Sequence, residues 1–308
     1  MTGFSIACPA KINLFLRIVA REPSGYHQIE TLFQAVGLYD RVEAYPGEDG
    51  IAFEVRPGET EPGLEDIADK LGDPADNTVG RAARLFYDLS RIEPAVRLVL
   101  TKAIPAGTGL GGASSDAAGT LSVLNALHGQ PLRLHQIMQL GSRIGSDVPF
   151  FCTETPTSLA WGRGERLLGR PTPPAAHIVL AIPGARTSTG DAYREVSGKL
   201  ELPAPPRWMG DIGTGDWEAI ATLQQNDFEL VAFERMPELR AMRDVLMNGG
   251  AAMARLTGSG SALFGVFVDE ERAHEAAGAV GAMEGVAAAF VVPTLDEIPT
   301  VQPINQDM

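Results

Sequence analysis

The chain has 308 residues, of which 44% are hydrophobic and 21% charged, and this composition is typical of a globular protein long enough for two domains. Its formal net charge is −14 and it has no basic cluster, which excludes the basic surface that nucleic-acid binding requires. Two cysteines are too few for a disulfide scaffold or a metal cluster.

The apolar segments of the chain do not predict a targeting or membrane function. No basic leader precedes the first apolar residues, and Lys11 interrupts the apolar stretch that follows, so a signal peptide is not expected. The most apolar segment near the C-terminus, residues 276–292, contains Glu284 and three glycines and is not expected to span a membrane. We therefore predict a cytoplasmic protein, or a stromal one if the source is a plastid.

The first predicted element is a strand over residues 5–19 that carries a cation among apolar residues. Because successive side chains of a strand alternate between its faces, Ile12 and Leu14 share one face while Lys11 and Asn13 share the other. The chain has only four lysines against 21 arginines. Lys11 could protect a sheet edge, or it could face a phosphate or a catalytic carboxylate.

The next predicted elements are strands, a loop and a helix. One or two strands are expected over 41–55. Residues 59–76 hold seven acidic residues against one lysine and are expected to form a solvated loop. Amphipathic spacing predicts a helix over 77–89. The residues expected on its buried side are Val79, Ala82, Ala83, Leu85, Phe86 and Leu89.

A glycine-rich loop lies between a predicted strand at 96–100 and a predicted helix at 114–127. Backbone N–H groups of such a loop approach a ligand closely, and the helix aims the positive end of its dipole at the same point. The loop therefore predicts a phosphate site, to which two serines add hydroxyl donors. The residues of this predicted site are Pro105, Ala106, Gly107, Thr108, Gly109, Leu110, Gly111, Gly112, Ala113, Ser114 and Ser115.

Two common phosphate-binding motifs do not fit this loop. Gly107, Gly109 and Gly112 satisfy the G-x-G-x-x-G pattern of dinucleotide-binding proteins. That pattern expects an acidic residue about 20 residues later, and residues 127–133 contain none. A Walker loop ends in Gly-Lys-Ser or Gly-Lys-Thr, and this loop contains no lysine.

A single carboxylate follows the predicted helix in an otherwise acid-free region. Asp147 is the only acid in residues 133–153 and precedes the apolar run Val-Pro-Phe-Phe. It could stabilise the turn before Pro149. It could instead accept the proton of a hydroxyl that attacks a phosphate, with Lys11 holding it ionised.

A composition change at residues 153–158 predicts a domain boundary, which divides the chain into 1–155 and 156–308. A second glycine turn at 257–260 links two strands of the second part, and a hairpin of this kind needs no function. The strands expected beyond the boundary are 158–161, 177–182, 253–257 and 262–268, and the helices are 217–223, 227–233 and 237–248.

These motifs, in this order, resemble the GHMP kinases, and the resemblance covers residues 6–268. It implies an α/β (α+β) fold of two domains, with a left-handed βαβ crossover in the first and a ferredoxin-like second domain. The motifs that carry it are Pro9-Ala10-Lys11-Ile12-Asn13-Leu14, Gly25-Tyr26-His27, Gly109-Leu110-Gly111-Gly112, Ser114-Ser115-Asp116-Ala117-Ala118, Asp147-Val148-Pro149-Phe150-Phe151, Asn226-Asp227-Phe228-Glu229 and Leu256-Thr257-Gly258-Ser259-Gly260.

Taken together, the same motifs narrow the resemblance, within the superfamily, to kinases of a cytidine diphosphate ester. It implies transfer of the γ-phosphate of ATP, with Mg²⁺, to the 2-hydroxyl of 4-diphosphocytidyl-2-C-methyl-D-erythritol, a step of the non-mevalonate route to isoprenoids. Lys11 and Asp147 would be the catalytic pair, with Asp147 also contacting the substrate. The loop from Pro105 to Ser115 would hold the triphosphate.

The resemblance also implies which residues contact the acceptor. Tyr26 would stack on the cytosine and His27 would hydrogen-bond to its edge. Asn13 would steady the hydroxyls or phosphates of the substrate, and Thr189 lies where the family has a substrate-contacting threonine.

The metal ligands and the assembly state follow less directly from the sequence. Ser115 and Asp116 are both candidates for binding Mg²⁺. Thr108 and Ala113 depart from the residues expected in the loop of the superfamily without breaking the phosphate cradle. Small molecules are the only expected partners, with no nucleic acid and no membrane, and the chain is expected to be a monomer or a weak homodimer.

Three other functions are compatible with parts of the sequence. One is a GHMP kinase for homoserine or mevalonate, against which Tyr26 and His27 argue because a small acid has no base to stack. Another is a GHMP decarboxylase, which would consume ATP and release carbon dioxide. The third is a nucleotide-binding regulator without catalysis, for which the pair Lys11 and Asp147 would have no use.

Overall fold

The computed structural model describes residues 2–58, 77–185, 188–204, 216–223 and 225–304. The predicted acidic loop at 59–76 lies outside these residues. The strands are β1 Gly3–Arg21, β2 His27–Pro46, β3 Gly50–Pro57, β4 Ala95–Lys102, β5 Thr157–Gly162, β6 Arg166–Gly169, β7 His177–Pro183, β8 Met253–Leu256, β9 Leu263–Phe267, β10 Val286–Pro293 and β11 Gln302–Ile304. The helices are α1 Thr78–Ser90, α2 Gly112–Leu127, α3 Leu134–Ile144, α4 Val148–Phe151, α5 Thr189–Ser197, α6 Trp217–Ala221, α7 Glu229–Arg235, α8 Pro237–Asn248 and α9 Glu270–Gly281.

The first sheet contains seven strands and carries α1 and α2. Its main order is β11-β1-β2-β4-β3, with β5 pairing to β2 and β6 to β5. The strands β3 and β4 are parallel and α1 lies between them in the chain, while the other pairs are antiparallel. The helix α2 packs across β1 and β2, where Gly119 lies so close to the Cys8 sulfur that a side chain there would overlap it.

The second sheet has the ferredoxin-like arrangement that the sequence resemblance implies. Its order is β10-β7-β9-β8 and every neighbouring pair is antiparallel. The helices α5 to α8 connect β7 to β8, and α9 connects β9 to β10, which gives the β-α-β-β-α-β order of that fold.

The division between the two sheets does not coincide with residue 155/156. The strands β5 and β6 follow that position in the chain, yet β5 pairs with β2 over six residue positions, from Gln34 with Thr157 to Ile29 with Gly162. The strand β11, near the C-terminus, pairs with β1. Composition cannot reveal these pairings, because they depend on hydrogen bonds between distant segments.

The helix predicted at 77–89 is present as α1, with one error on its buried side. Asn77 caps it by accepting a hydrogen bond from the Val79 N–H at 2.9 Å, and Ala82, Ala83 and Phe86 are buried as expected. Leu89 is exposed, while Tyr87 is buried in its place. Within the described residues, no helix combines the length and hydropathy needed to cross a membrane.

Candidate active site

The glycine-rich loop connects β4 to α2 in a conformation that depends on its glycines. Gly107, Gly109 and Gly111 have φ values of 72°, 86° and 77°, in the left-handed region that glycine adopts without steric cost. A Cβ at Gly109 would overlap the carbonyl oxygen of Thr257, which belongs to the second glycine turn. Gly111 is the N-cap of α2, so the helix begins at the loop as predicted. The loop lines a cavity of about 190 Å³ at this helix end.

A buried charged cluster, formed by Asp40, Lys102 and Asp116, holds both ends of this loop. The Asp40 carboxylate accepts hydrogen bonds from the N–H groups of Ala103 at 2.6 Å and Ile104 at 2.8 Å, directly before the loop. The Lys102 ammonium donates to Asp40 and to Asp116 Oδ2, the latter at 2.8 Å. Each of the three side chains is at most 3% exposed. Burial alone would lower the pKa of Lys102, but the two carboxylates raise it above its ordinary value, so the ammonium stays charged.

Lys11 contacts the middle of the loop, between the two ends that this cluster holds. Its ammonium is buried and donates to Asn13 Oδ1 at 2.6 Å and to the carbonyl oxygen of Gly109 at 2.8 Å. Asp147 Oδ2 lies 3.7 Å from the same nitrogen, and its side chain is 30% exposed. Burial lowers the pKa of Lys11, and the Asp147 carboxylate opposes that shift. The structure thus brings together two residues that lie 136 positions apart, and leaves the carboxylate open to a ligand.

Asn13 has its polar side-chain atoms committed to neighbouring protein groups. Its Oδ1 accepts from Lys11 and from the N–H of Gly258 at 2.8 Å, and its Nδ2 donates to Thr31 Oγ1 at 2.8 Å. Asn13 therefore joins the first strand to the second glycine turn, and it orients the Lys11 ammonium. The turn at 257–260, for which the sequence needed no function, forms part of the wall of the site.

A second cavity, of about 550 Å³, contains all the predicted acceptor-binding residues. Gly109 and Gly111 line it too, so it shares a wall with the phosphate cavity. Thr189 lies at its rim and accepts a hydrogen bond from Ser259 Oγ at 3.0 Å. The lining residues predicted from the sequence are Lys11, Asn13, Tyr26, His27, Asp147 and Thr189.

The aromatic part of this cavity includes a residue that the sequence analysis missed. The ring of Tyr193 stacks on His27, with centroids 4.9 Å apart and planes 21° apart, and both rings line the cavity. A helix predicted over 189–197 would have revealed it, because Tyr193 lies four residues after Thr189 and so on the same helix face. Tyr26 is 60% exposed at the cavity entrance.

The hydrogen bonds of His27 define which of its nitrogens is free. Ser197 Oγ lies 2.5 Å from His27 Nε2 and donates its only proton to the carbonyl oxygen of Tyr193 at 2.6 Å. Because that proton is already used, the hydroxyl oxygen accepts a hydrogen bond from His27 Nε2. Burial and the nearby Arg21 lower the pKa of His27, which favours the neutral ring. In that state Nδ1 is left as a hydrogen-bond acceptor.

The two candidate metal ligands have different surroundings. Asp116 lines the phosphate cavity, its Oδ2 is bonded to Lys102, and its buried Oδ1 has no hydrogen-bond partner within the described part of the chain. The hydroxyl of Ser115 is also buried without such a partner there. Among the described residues, no three His, Cys, Asp or Glu side chains come together as a metal site. The residues present fit a cation that takes most of its ligands from phosphates and water, as Mg²⁺ does.

Comparison with known families and structures agrees with this architecture. The model for the N-terminal domain of GHMP kinases matches residues 77–154, and the model for the C-terminal domain matches 208–284. A homoserine kinase from Cytophaga hutchinsonii superposes with a TM-score of 0.73 over 98% of this chain and 97% of its own, at 17% identity, which shows the shared fold. The two-domain fold and the glycine loop beside a lysine–aspartate pair define a GHMP kinase.

Relatives with higher identity narrow the assignment. The 4-diphosphocytidyl-2-C-methyl-D-erythritol kinase of Solibacter usitatus is 39% identical over 266 residues, which are 84% of this chain and 80% of the relative. The kinase of the same name from Syntrophus aciditrophicus is 35% identical over 94% of this chain and 99% of its own. A crystal structure of a 4-(cytidine 5'-diphospho)-2C-methyl-D-erythritol kinase matches with a TM-score of 0.74 and 32% identity, over 94% and 98% of the two chains.

The chain belongs to the 4-diphosphocytidyl-2-C-methyl-D-erythritol kinase family. It is therefore an enzyme, a kinase with small-molecule substrates, and ATP is its co-substrate.

Proposed function

We propose that this kinase transfers the γ-phosphate of ATP, with Mg²⁺, to the 2-hydroxyl of 4-diphosphocytidyl-2-C-methyl-D-erythritol. The observation that carries the proposal is the junction of the two cavities. Gly109 and Gly111 line both, and Lys11 and Asp147 lie on the acceptor side of that shared wall. A phosphate held by the loop and a hydroxyl held near Asp147 would meet there.

Asp147 acts in this proposal as the base that receives the proton of the attacking hydroxyl. Its partial exposure leaves the carboxylate accessible to a ligand, and the Lys11 ammonium lies 3.7 Å from it. As the proton arrives, Lys11 is freed to neutralise negative charge on the transferring phosphoryl group. Phosphoryl transfer depends mainly on positioning and charge neutralisation, so the fixed Lys11 ammonium is expected to matter as much as proton removal.

The acceptor is recognised through its base. The Tyr26 ring offers a face for stacking the cytosine, and His27 Nδ1 accepts a hydrogen bond from its exocyclic amine. Tyr193 supports the His27 ring by stacking beneath it. Asn13 and Thr189, which line the same cavity, then face the polyol and its diphosphate. A small acid has no base to stack, so the aromatic rings of this cavity support a nucleotide-linked acceptor.

Ser115 and Asp116, together with the phosphates of ATP, would hold Mg²⁺. When bound, the cation would neutralise part of the negative charge of the triphosphate. The chain's own contribution is the loop N–H groups and the helix N-terminus, which bind the phosphates from the other side. Excess EDTA is expected to abolish ADP release, and restoring Mg²⁺ to recover it; turnover that persists in EDTA would reject the metal requirement.

The decisive assay measures ADP release from Mg-ATP with four acceptors in parallel. They are 4-diphosphocytidyl-2-C-methyl-D-erythritol, 2-C-methyl-D-erythritol 4-phosphate, mevalonate and homoserine. We expect turnover with the first alone. Turnover with mevalonate or homoserine instead would preserve the GHMP kinase assignment and reject the cytidine site, and silence with all four would favour a regulatory role.

We further propose that the enzyme works in the cytoplasm as a monomer or weak homodimer, without a nucleic-acid partner. Its formal net charge of −14 supports the absence of a nucleic-acid partner, since nucleic acids are negatively charged as well. We also propose that residues 1–155 and 156–308 are its two domains, with β5, β6 and β11 of the second completing the sheet of the first. Light scattering across a concentration series would measure the mass, and a stable large oligomer would contradict the proposed assembly.

A further inference from the structure

Arg163 covers one face of the exposed Tyr26 ring. It lies in the turn between β5 and β6, and the central carbon of its guanidinium is 4.0 Å from the centroid of that ring. A guanidinium placed over an aromatic face is attracted by the electron density of the ring. Because Tyr26 is 60% exposed and lines the acceptor cavity, we infer that the opposite face of its ring is available to a ligand.

Glu22 fixes the guanidinium in this place. Arg163 donates to both carboxylate oxygens of Glu22, at 3.3 Å from Nε and 2.5 Å from a terminal nitrogen. Such a two-pronged contact defines the plane of the guanidinium as well as its position. Ser24 Oγ donates to the same carboxylate at 2.9 Å. The hydrogen bonds from Arg163 lower the pKa of Glu22 to about 2, so the ion pair is complete at neutral pH.

Glu22 also closes the turn that carries Tyr26. The Glu22 N–H donates to the carbonyl oxygen of Tyr26 at 2.8 Å, and the Gly25 N–H donates to the carbonyl oxygen of Glu22 at 2.9 Å. The backbone of the turn and the ring of Tyr26 are therefore both tied to Glu22, one directly and one through Arg163.

Arg163 separates two cavities at this point. Tyr26 and Arg163 line the acceptor cavity, and they also line a neighbouring polar cavity of about 760 Å³ on the other side. Without the guanidinium, the exposed ring would be free to turn toward the second cavity. Holding an exposed aromatic side chain in place before binding removes an entropy cost that the ligand would otherwise have to offset.

We propose that Arg163, held by Glu22, is a positioning residue that fixes the Tyr26 ring for the base of the acceptor and thereby sets the acceptor affinity. This inference rests on the proposed function. In this proposal Arg163 acts on the base through the Tyr26 ring, so its loss is expected to change the KM of the acceptor and to leave the KM of ATP and kcat unaltered.

The test compares Arg163→Gln, Glu22→Gln and the double variant with a matched control, Arg166→Gln. Arg166 lies three residues away, at the start of β6, is more exposed, and pairs with Glu165 instead. Ordering one side chain corresponds to about a 2- to 10-fold change in binding, so we expect the acceptor KM to rise by that factor in each single variant. The double variant should show no further rise, because both changes remove the same constraint.

A last pair of variants separates positioning from general destabilisation. In a Tyr26→Ala background, Arg163→Gln is expected to have no additional effect on the acceptor KM, because the ring that it positions is gone. An additive effect there, an unchanged KM in Arg163→Gln, or a parallel rise in the KM of ATP would each overturn the inference. If the wild-type enzyme does not accept the cytidyl substrate at all, the proposed function fails and this inference fails with it.

Discussion

The phosphate cavity and the acceptor cavity share a wall but are built by different means. The phosphate cavity consists mainly of backbone from one contiguous segment, the loop from Pro105 to Gly112, supported from below by the buried charged cluster. Most of the acceptor cavity consists of side chains from distant segments, among them β1, the turn at 22–26, β2, the turn between β5 and β6, α5 and the residue before α4. A backbone site can be recognised from local sequence, whereas a side-chain site depends on how distant segments meet.

The largest effect is expected from removing Lys11 or Asp147, the pair that lies where the two cavities meet. Lys11→Ala and Asp147→Asn are each expected to lower kcat by roughly 10² to 10⁴-fold, the range for loss of a general base or its partner. Steady-state kinetics measure the loss, and circular dichroism checks the fold. Asp244→Asn, which changes an exposed acid on α8, is the matched control. A fully active Lys11→Ala enzyme would remove Lys11 from the mechanism.

A second test affects only the acceptor cavity. Base stacking on an aromatic side chain contributes about 1–3 kcal/mol, so Tyr26→Ala is expected to raise the KM of the cytidyl acceptor by about 5- to 150-fold. The KM of ATP should be unchanged, because Tyr26 does not line the phosphate cavity. Equal increases for both substrates would reject the stacking role.

A third test changes the phosphate loop and compares two of its glycines. Gly109→Ala and Gly107→Ala share the cost of a positive φ, which is about 1–2 kcal/mol. Only Gly109 meets a neighbour, since its Cβ would overlap the Thr257 carbonyl while the space around Gly107 is open. We expect the KM of ATP to rise about tenfold more in Gly109→Ala, equivalent to about 1.4 kcal/mol. Similar values for the two variants would show that the contact with the second glycine turn is unimportant.

The smallest expected effect is a shift in pH dependence. Burial lowers the pKa of Lys11 from its ordinary value, and Asp147 opposes this by favouring the charged ammonium. Because the ammonium acts only when charged, kcat is expected to fall as the pH rises through this lowered pKa. In Asp147→Asn the opposing charge is absent, so the fall in residual activity should begin at a lower pH. An alkaline limb at the same pH in both enzymes would show that Lys11 does not govern it.

The contiguous features of the molecule could be predicted from the sequence, and the reason is physical. Glycine spacing determines where the backbone can adopt positive φ, so the loop and the start of α2 followed from residues 104–118 alone. The period of apolar residues identified α1, and the helix predicted at 237–248 is present over its whole length as α8.

Features that depend on tertiary pairing could not be predicted in this way. Residues 31–36 of β2 are buried on both faces, so they lack the alternation that marks a half-buried strand, and only the outer part of β2 was predicted. The contact between Lys11 and Asp147 has no local signal: the residue types gave it as one of two interpretations, and the family resemblance favoured it. Asp40, which is buried in β2 and holds the start of the loop, was missed because the neighbouring Arg41 and Glu43 make it look like one of several solvated charges.

The packing of α2 on the first sheet places the Cys8 thiol out of reach of solvent reagents. The Cys8 sulfur is covered by the helix at Gly119, and burial raises its pKa well above the ordinary value. Burial also raises the pKa of Cys152, to about 12. Since the thiolate is the reactive form and Cys8 is buried, alkylation of Cys8 requires the structure to open. The labelling rate of Cys8 therefore reports how often the helix that carries the phosphate loop lifts from the sheet, and a nucleotide that binds only the closed form would slow that rate in proportion to its occupancy.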